Sequence, residues 1–106
     1  MGKYGIVMTT LQNEEQAQPV IEELIKSKLA ACVQQIGIKS HYTWKGELCR
    51  EDEILVLIKT KKELYPLIEK KLLELHPYEV PEIIMLDIEQ GSATYLAWID
   101  GETQSE

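Results

Sequence analysis

Four extended apolar runs and two amphipathic helical stripes alternate as strand, helix, strand, strand, helix, strand, and that order predicts an α+β fold. Two local signals support it. A capping pattern precedes each helical stripe, Asn13 with Gln16 and Thr60 with Glu63. Gly46 divides two long extended stretches and can supply the positive φ of a hairpin turn. The arrangement is the split βαβ, or ferredoxin-like, sandwich. Right-handed crossovers place both helices on one face of a four-stranded antiparallel sheet. A short C-terminal helix and a long projecting hairpin are additions to that plan.

The elements follow in order. Tyr4 to Thr10 reads as a strand centred on Ile6, Val7 and Met8. Ala17, Val20, Ile21, Leu24, Ile25 and Leu29 recur at helical spacing. Pro19 interrupts that stripe, which predicts a kink or a helix start moved to Gln18. Cys32 to Lys45 and Glu47 to Thr60 are the arms of the hairpin, with Gly37 a plausible bulge. Leu64, Leu67, Ile68, Leu72 and Leu75 mark the second helix, begun at Thr60. Pro77 and Pro81 stop it and bracket a rigid turn. Glu82 to Glu89 is the fourth strand, and Ser92 caps a last helix carrying Tyr95, Leu96, Trp98 and Ile99. Residues 1–106 form a single domain, with 101–106 a loose polar tail.

Size and charge narrow the function classes. A chain of 106 residues buries roughly two-thirds of its surface, enough for a core without metal or disulfide staples. Eighteen acidic against eleven basic residues give a net charge of −7. No basic patch stands out, so nucleic acid is not an expected partner. No apolar run approaches the roughly 20 residues of a membrane span, and the N-terminal apolar stretch is too short for a signal peptide. A cytoplasmic protein with reduced Cys32 and Cys49 is expected.

The strands point beyond a monomer. Ile54 to Ile58 and Ile83 to Leu86 are apolar on both faces, whereas two helices cover only one. A second subunit is the expected cover for the other face. The first hairpin arm, about 46 Å if extended, exceeds the diameter of roughly 33 Å expected of such a domain. It must bend or project, and a projecting arm favours pairing with a neighbour.

No nucleophile is paired with an oriented base, and no phosphate loop or zinc motif occurs. No catalytic residue is assigned and no enzyme is expected. Cys32, flanked by Ala30, Ala31 and Val33, reads as a buried structural thiol, and Cys49 as an exposed one. His76 ends the second helix, where capping and ligand binding are both open to it. Tyr42, Trp44, Tyr78 and Trp98 sit at element edges, where an interface and a small-ligand pocket are the two uses. Lys59 can neutralise Glu79 or an anionic ligand.

In these residues the chain resembles the CutA1-type divalent-cation tolerance family. The matching strings are Lys28-Leu29-Ala30-Ala31-Cys32, Tyr42-Thr43-Trp44-Lys45-Gly46, Glu53 through Thr60, His76-Pro77-Tyr78-Glu79-Val80-Pro81-Glu82-Ile83-Ile84, Gly91, and Tyr95-Leu96-Ala97-Trp98-Ile99. The resemblance implies a cytoplasmic homotrimer, similar in architecture to PII signalling proteins. It also implies tolerance to copper and other divalent cations, copper binding in some members, and no established enzymatic activity. Copper ligands in bacterial members are placed at a cysteine near the end of the first strand and at paired histidines before the Pro-Tyr step. The corresponding positions here are Thr9, Leu75 and His76, so His76 alone carries over.

Two functional expectations follow. One is a copper-binding or other divalent-cation trimer centred on His76, with no cofactor required. The other is a PII-like signalling or interaction trimer. Its cleft between subunits, drawn from Tyr42, Trp44, Lys59, Tyr78, Glu79 and Trp98, would bind a small molecule or protein.

Overall fold

A computed structural model describes residues 2–105. The elements are β1 (Tyr4–Leu11), α1 (Glu14–Lys26), β2 (Cys32–Trp44), β3 (Glu47–Lys61), α2 (Tyr65–Leu75), β4 (Ile84–Asp87) and α3 (Ala93–Glu102), with a 3₁₀ turn at Lys62–Leu64. The sheet runs β2-β3-β1-β4, each pair antiparallel, as the split βαβ plan requires.

The start of α1 is written locally. The Asn13 side chain accepts from the Gln16 N–H at 2.9 Å, and Gln16 Oε1 accepts from the Gln12 N–H at 3.0 Å. Pro19 lies inside α1 and does not move its start. Both Pro19 and Glu15, whose carbonyl loses its amide partner, are exposed, so that carbonyl is open to solvent. The helix ends with Lys28 in the left-handed region at φ 61°. Lys28 N–H donates to Ile25 O and Leu29 N–H to Leu24 O, each at 3.1 Å, closing the last carbonyls.

The predicted start of α2 is corrected. Thr60 belongs to β3, and its buried hydroxyl donates to the Leu29 carbonyl at 2.6 Å. A buried hydroxyl facing a loop carbonyl is satisfied there and does not cap a helix. The chain instead enters α2 through the 3₁₀ turn and Pro66, which fits a first turn because its missing N–H has no helical partner anyway.

One sheet face holds the core. Val7, Leu11, Val56 and Ile58 meet Ala17, Val20 and Leu24 of α1 and Ile68 and Leu72 of α2. Each buried Leu or Ile contributes about 2 kcal/mol. Strand register puts Ile6, Met8, Leu55, Leu57, Ile36, Ile84 and Leu86 on the opposite face. Helix α3 covers only one end of it: Lys61 is buried there and pairs with Asp100 at 3.7 Å. Ile36, Ile84 and Leu86 remain 55%, 47% and 51% exposed.

The hairpin projects without bending out of register. β2 and β3 pair without interruption from Cys32↔Lys59 to Trp44↔Glu47, so Gly37 is no bulge. Lys45 and Gly46, at φ 52° and 81°, make the turn. β1 stops at Leu11↔Ile54, leaving the rest of the hairpin a two-stranded arm, and the molecule measures 44 × 25 × 21 Å. β4 is shorter than predicted: it pairs with Gly5 to Met8 of β1, and just past it the Ile88 N–H donates to the Tyr4 carbonyl at 3.1 Å. The loose tail expected from Gly101 is also corrected: α3 runs through Gly101, and Gln104 donates to Lys28 O and Ser27 O, both at 2.8 Å. Among the described residues no helix is long and apolar enough to cross a membrane.

Candidate functional site

A concavity lies where the arm leaves the sheet. It is a cleft of about 610 Å³ between the arm and the segment after α2. That volume falls in the ordinary range of small-molecule sites. Hairpin register builds one wall. Tyr42↔Cys49 and Ser40↔Glu51 share the face that continues toward Glu53, and a period of two keeps all of them together. Tyr78, Glu79, Val80 and Glu82 form the other wall, held by the turn between Pro77 and Pro81.

Two phenols orient two carboxylates. Tyr78 Oη donates to Glu53 Oε2 and Tyr42 Oη to Glu51 Oε1, each at 2.7 Å. Bonding to Glu51 pushes the Tyr42 pKa up to about 12. Burial, then the Glu53 carboxylate, raises that of Tyr78 as well. Both phenols therefore stay protonated donors at neutral pH. Glu53 is only 7% exposed, yet forms no ion pair among the described residues.

Of the two roles open to His76, the structure shows the one at the helix end. Its backbone N–H closes α2 on Leu72 O at 2.8 Å. Pro77 behind it forces an extended backbone, so the ring turns toward the end of β1. Nδ1 accepts from the Tyr78 N–H at 3.2 Å, and Nε2 meets the Thr10 carbonyl at 2.8 Å. A carbonyl only accepts, so Nε2 carries the proton and neither nitrogen keeps a free lone pair. Burial lowers the His76 pKa, against the Thr10 carbonyl and Glu53, which raise it.

A copper site centred on this ring does not fit. Thr9 is buried on the inner sheet face, Leu75 brings no donor atom, and both His76 nitrogens are committed. No group of three or more His, Cys, Asp or Glu side chains among the described residues is arranged to hold a metal ion.

The predicted cleft residues divide into two places. Tyr42, Trp44, Tyr78 and Glu79 line the cleft together. Lys59 and Trp98 do not. Lys59 Nζ lies 5.5 Å from the centre of the Tyr95 ring, which stacks on Trp98 at 5.6 Å. Six residues of extended strand separate Lys59 from Glu53, about 20 Å, so Lys59 neutralises neither Glu79 nor anything else in this cleft within one chain. Cys32 and Cys49 are both half-buried rather than buried and exposed, and Cys49 lines the cleft. Glu51 and Glu53 were not singled out as cleft residues from sequence. The signal was present, since a turn at Lys45-Gly46 fixes the register that sets residues 49, 51 and 53 on the Tyr42 face.

The sequence profile of the CutA1 divalent ion tolerance proteins matches residues 5–102. A divalent-cation tolerance protein CutA of Thermus thermophilus is 38% identical over 92% of this chain and 96% of its own length. Protein CutA of Mus musculus is 38% identical over 98% of this chain, which spans 59% of the mouse protein. The crystal structure of CutA1 from Oryza sativa superposes with a TM-score of 0.94 at 34% identity, covering 98% of this chain and 96% of that one.

Proposed function

Given that the chain belongs to the CutA1 divalent ion tolerance protein family, we propose that it serves divalent-cation tolerance as a cytoplasmic homotrimer that binds a ligand in the arm cleft and catalyses no reaction. One observation carries this reading: an open cleft with oriented carboxylates and aromatic walls stands beside an imidazole that has no nitrogen left for a metal. Tolerance then follows from what the cleft binds, in the manner of a PII-like signalling or interaction module, rather than from copper held at His76.

Self-association is supported by the uncovered apolar face, where Ile36, Ile84 and Leu86 are about half exposed. It also gives Lys59 and Trp98 a route to the cleft. They are too far from it within one chain, and a neighbouring copy seated on this face can bring its own pair to the cleft mouth. Such a cleft lies between subunits.

Direct binding of copper(II) or another divalent cation in the same cleft is the second reading. Cys49 and Glu51 share the Tyr42 face of the arm and bring sulfur and oxygen donors to the cleft, while His41 alternates onto the other face of its strand. Neither reading requires a resident cofactor.

Thermal-shift screening separates the two. Metabolites and metal ions are compared on the wild type, on Glu53→Gln and on Tyr78→Phe, since a ligand selective for the folded state raises its stability. A shift from an organic molecule that the cleft variants lose is the expected result. A shift from copper alone transfers the assignment to the second reading, and no shift from any compound or ion refutes the cleft as a site.

A further inference from the structure

We propose that Lys59 of the partner subunit is the counter-charge of Glu53, so that each arm cleft is completed by a neighbouring copy of the chain. This rests on the self-association proposed above and names the contact that fixes its register. The first ground is a pair of charges without partners. Glu53 is only 7% exposed and forms no ion pair among the described residues. One of its oxygens takes the Tyr78 hydroxyl at 2.7 Å, and the other has no hydrogen-bond partner among those residues. Lys59 is half-buried and equally without an ion pair; its ammonium lies 5.5 Å from the centre of the Tyr95 ring. A carboxylate and an ammonium withdrawn from water are each costly without an opposite charge. Within one chain about 20 Å of strand keeps these two apart.

The second ground is where the charges stand. Glu53, Leu55, Leu57 and Lys59 alternate onto one face of β3, an acid at one end, a cation at the other and two leucines between. This is the face that the helices leave uncovered, with Ile36, Ile84 and Leu86 beside the row. Its apolar area draws a second copy, and the charged ends decide how that copy lies. Two such rows laid in the same direction and in register would set Lys59 on Lys59 and Glu53 on Glu53, which is repulsive. Head to tail, each Lys59 meets a Glu53. A head-to-tail contact that closes makes a ring, in which every copy gives Lys59 to one neighbour and receives another at Glu53. A trimer is such a ring, and it leaves no charge of the row over.

The third ground is the lining of both ends. Tyr42 and Trp44 stand beside the acid end, and Tyr95 and Trp98 beside the cation. All four rings are exposed in one chain. Aromatics with polar tips are the composition expected at the centre of an interface. Closed over the pair, they exclude water and strengthen its attraction.

The test is subunit exchange of the full chain with no ligand added. Unlabelled and isotope-labelled assemblies are mixed and followed by native mass spectrometry. Lys59→Met and Glu53→Gln each leave one buried charge unpaired, and each should speed exchange by roughly tenfold or more. The double variant should exchange about as fast as the faster single variant, because one interaction is lost only once. Lys59→Arg keeps the charge and should exchange close to the wild-type rate. Glu53→Gln keeps an acceptor for Tyr78, so its circular dichroism should match wild type; where it does not, the contrast of Lys59→Met with Lys59→Arg carries the test. Single effects that multiply in the double variant, wild-type exchange in Lys59→Met, or exchange in Lys59→Arg as fast as in Lys59→Met overturns the pairing and leaves the homotrimer standing. A wild type of one chain mass overturns both. A thermal-shift screen without any hit refutes the cleft as a ligand site and leaves this pair untouched.

Discussion

Replacing His76 with alanine tests the structural role assigned to the ring. The substitution removes the acceptor of the Tyr78 N–H and the donor to the Thr10 carbonyl. Two hydrogen bonds at about 1 kcal/mol each, plus partial exposure of two backbone groups without partners, come to about 2–4 kcal/mol. Lost edge contact with the Tyr78 ring, now 4.7 Å between centres, belongs to the same range. The pH dependence has a definite sign. Burial holds the His76 pKa below its ordinary value, so the unfolded chain takes up the proton first as pH falls. The contribution of His76 is therefore complete above about pH 6.5 and is lost below it, at no more than about 1.4 kcal/mol per pH unit. Urea unfolding of wild type and His76→Ala at pH 7.5 and 5.5, at one protein concentration, measures both effects. The variant should be less stable at pH 7.5 and should lose part of the wild-type acid sensitivity. A variant as stable as wild type at pH 7.5, with the full acid slope retained, refutes the argument.

The remaining predictions concern other parts of the molecule. Thr9→Val should raise the urea midpoint by about 1 kcal/mol in stability, because Thr9 Oγ1 is buried without a hydrogen-bond partner; a lower midpoint would mean that the hydroxyl is satisfied. Lys28→Gly should stabilise by about 1 kcal/mol, since Lys28 holds a left-handed conformation at φ 61° that glycine adopts without steric cost. Gly46→Ala should cost about 1–2 kcal/mol for the converse reason at φ 81°, read as a lower thermal midpoint. Ile36→Glu places a charge on the exposed apolar face and should shift sedimentation toward smaller species; an unchanged sedimentation coefficient would argue that the face is not the contact.

Much of this architecture was legible from periodicity and caps. Asn13 with Gln16, Gly46, and Ser92 with Tyr95 mark boundaries through local hydrogen bonds or turn geometry, and those boundaries hold. Thr60 misled because a capping pattern names only residue types. Whether its hydroxyl caps a helix or serves the Leu29 carbonyl depends on a contact 31 residues distant. Gly37 misled because a glycine in a strand permits a bulge without requiring one.

At the site, Tyr42, Trp44, Tyr78 and Glu79 were legible as a group of polar-tipped aromatics and acid at element edges. Lys59 and Trp98 were grouped with them, but in one chain the fixed rise of β3 keeps Lys59 away, and Trp98 stacks on Tyr95 beside it. The state of His76 was not legible. Its ring is filled by the Thr10 carbonyl and the Tyr78 amide, and backbone partners leave no trace in residue identity.

The most direct test of the central claim is native mass spectrometry of metal-stripped wild type and His76→Ala, each titrated with copper(II). The account predicts a species of three chain masses for the wild type, and whatever copper it takes up is taken up equally by the variant. Stepwise uptake of one copper per subunit that His76→Ala abolishes, with the trimer intact, would contradict it and return the site to the imidazole.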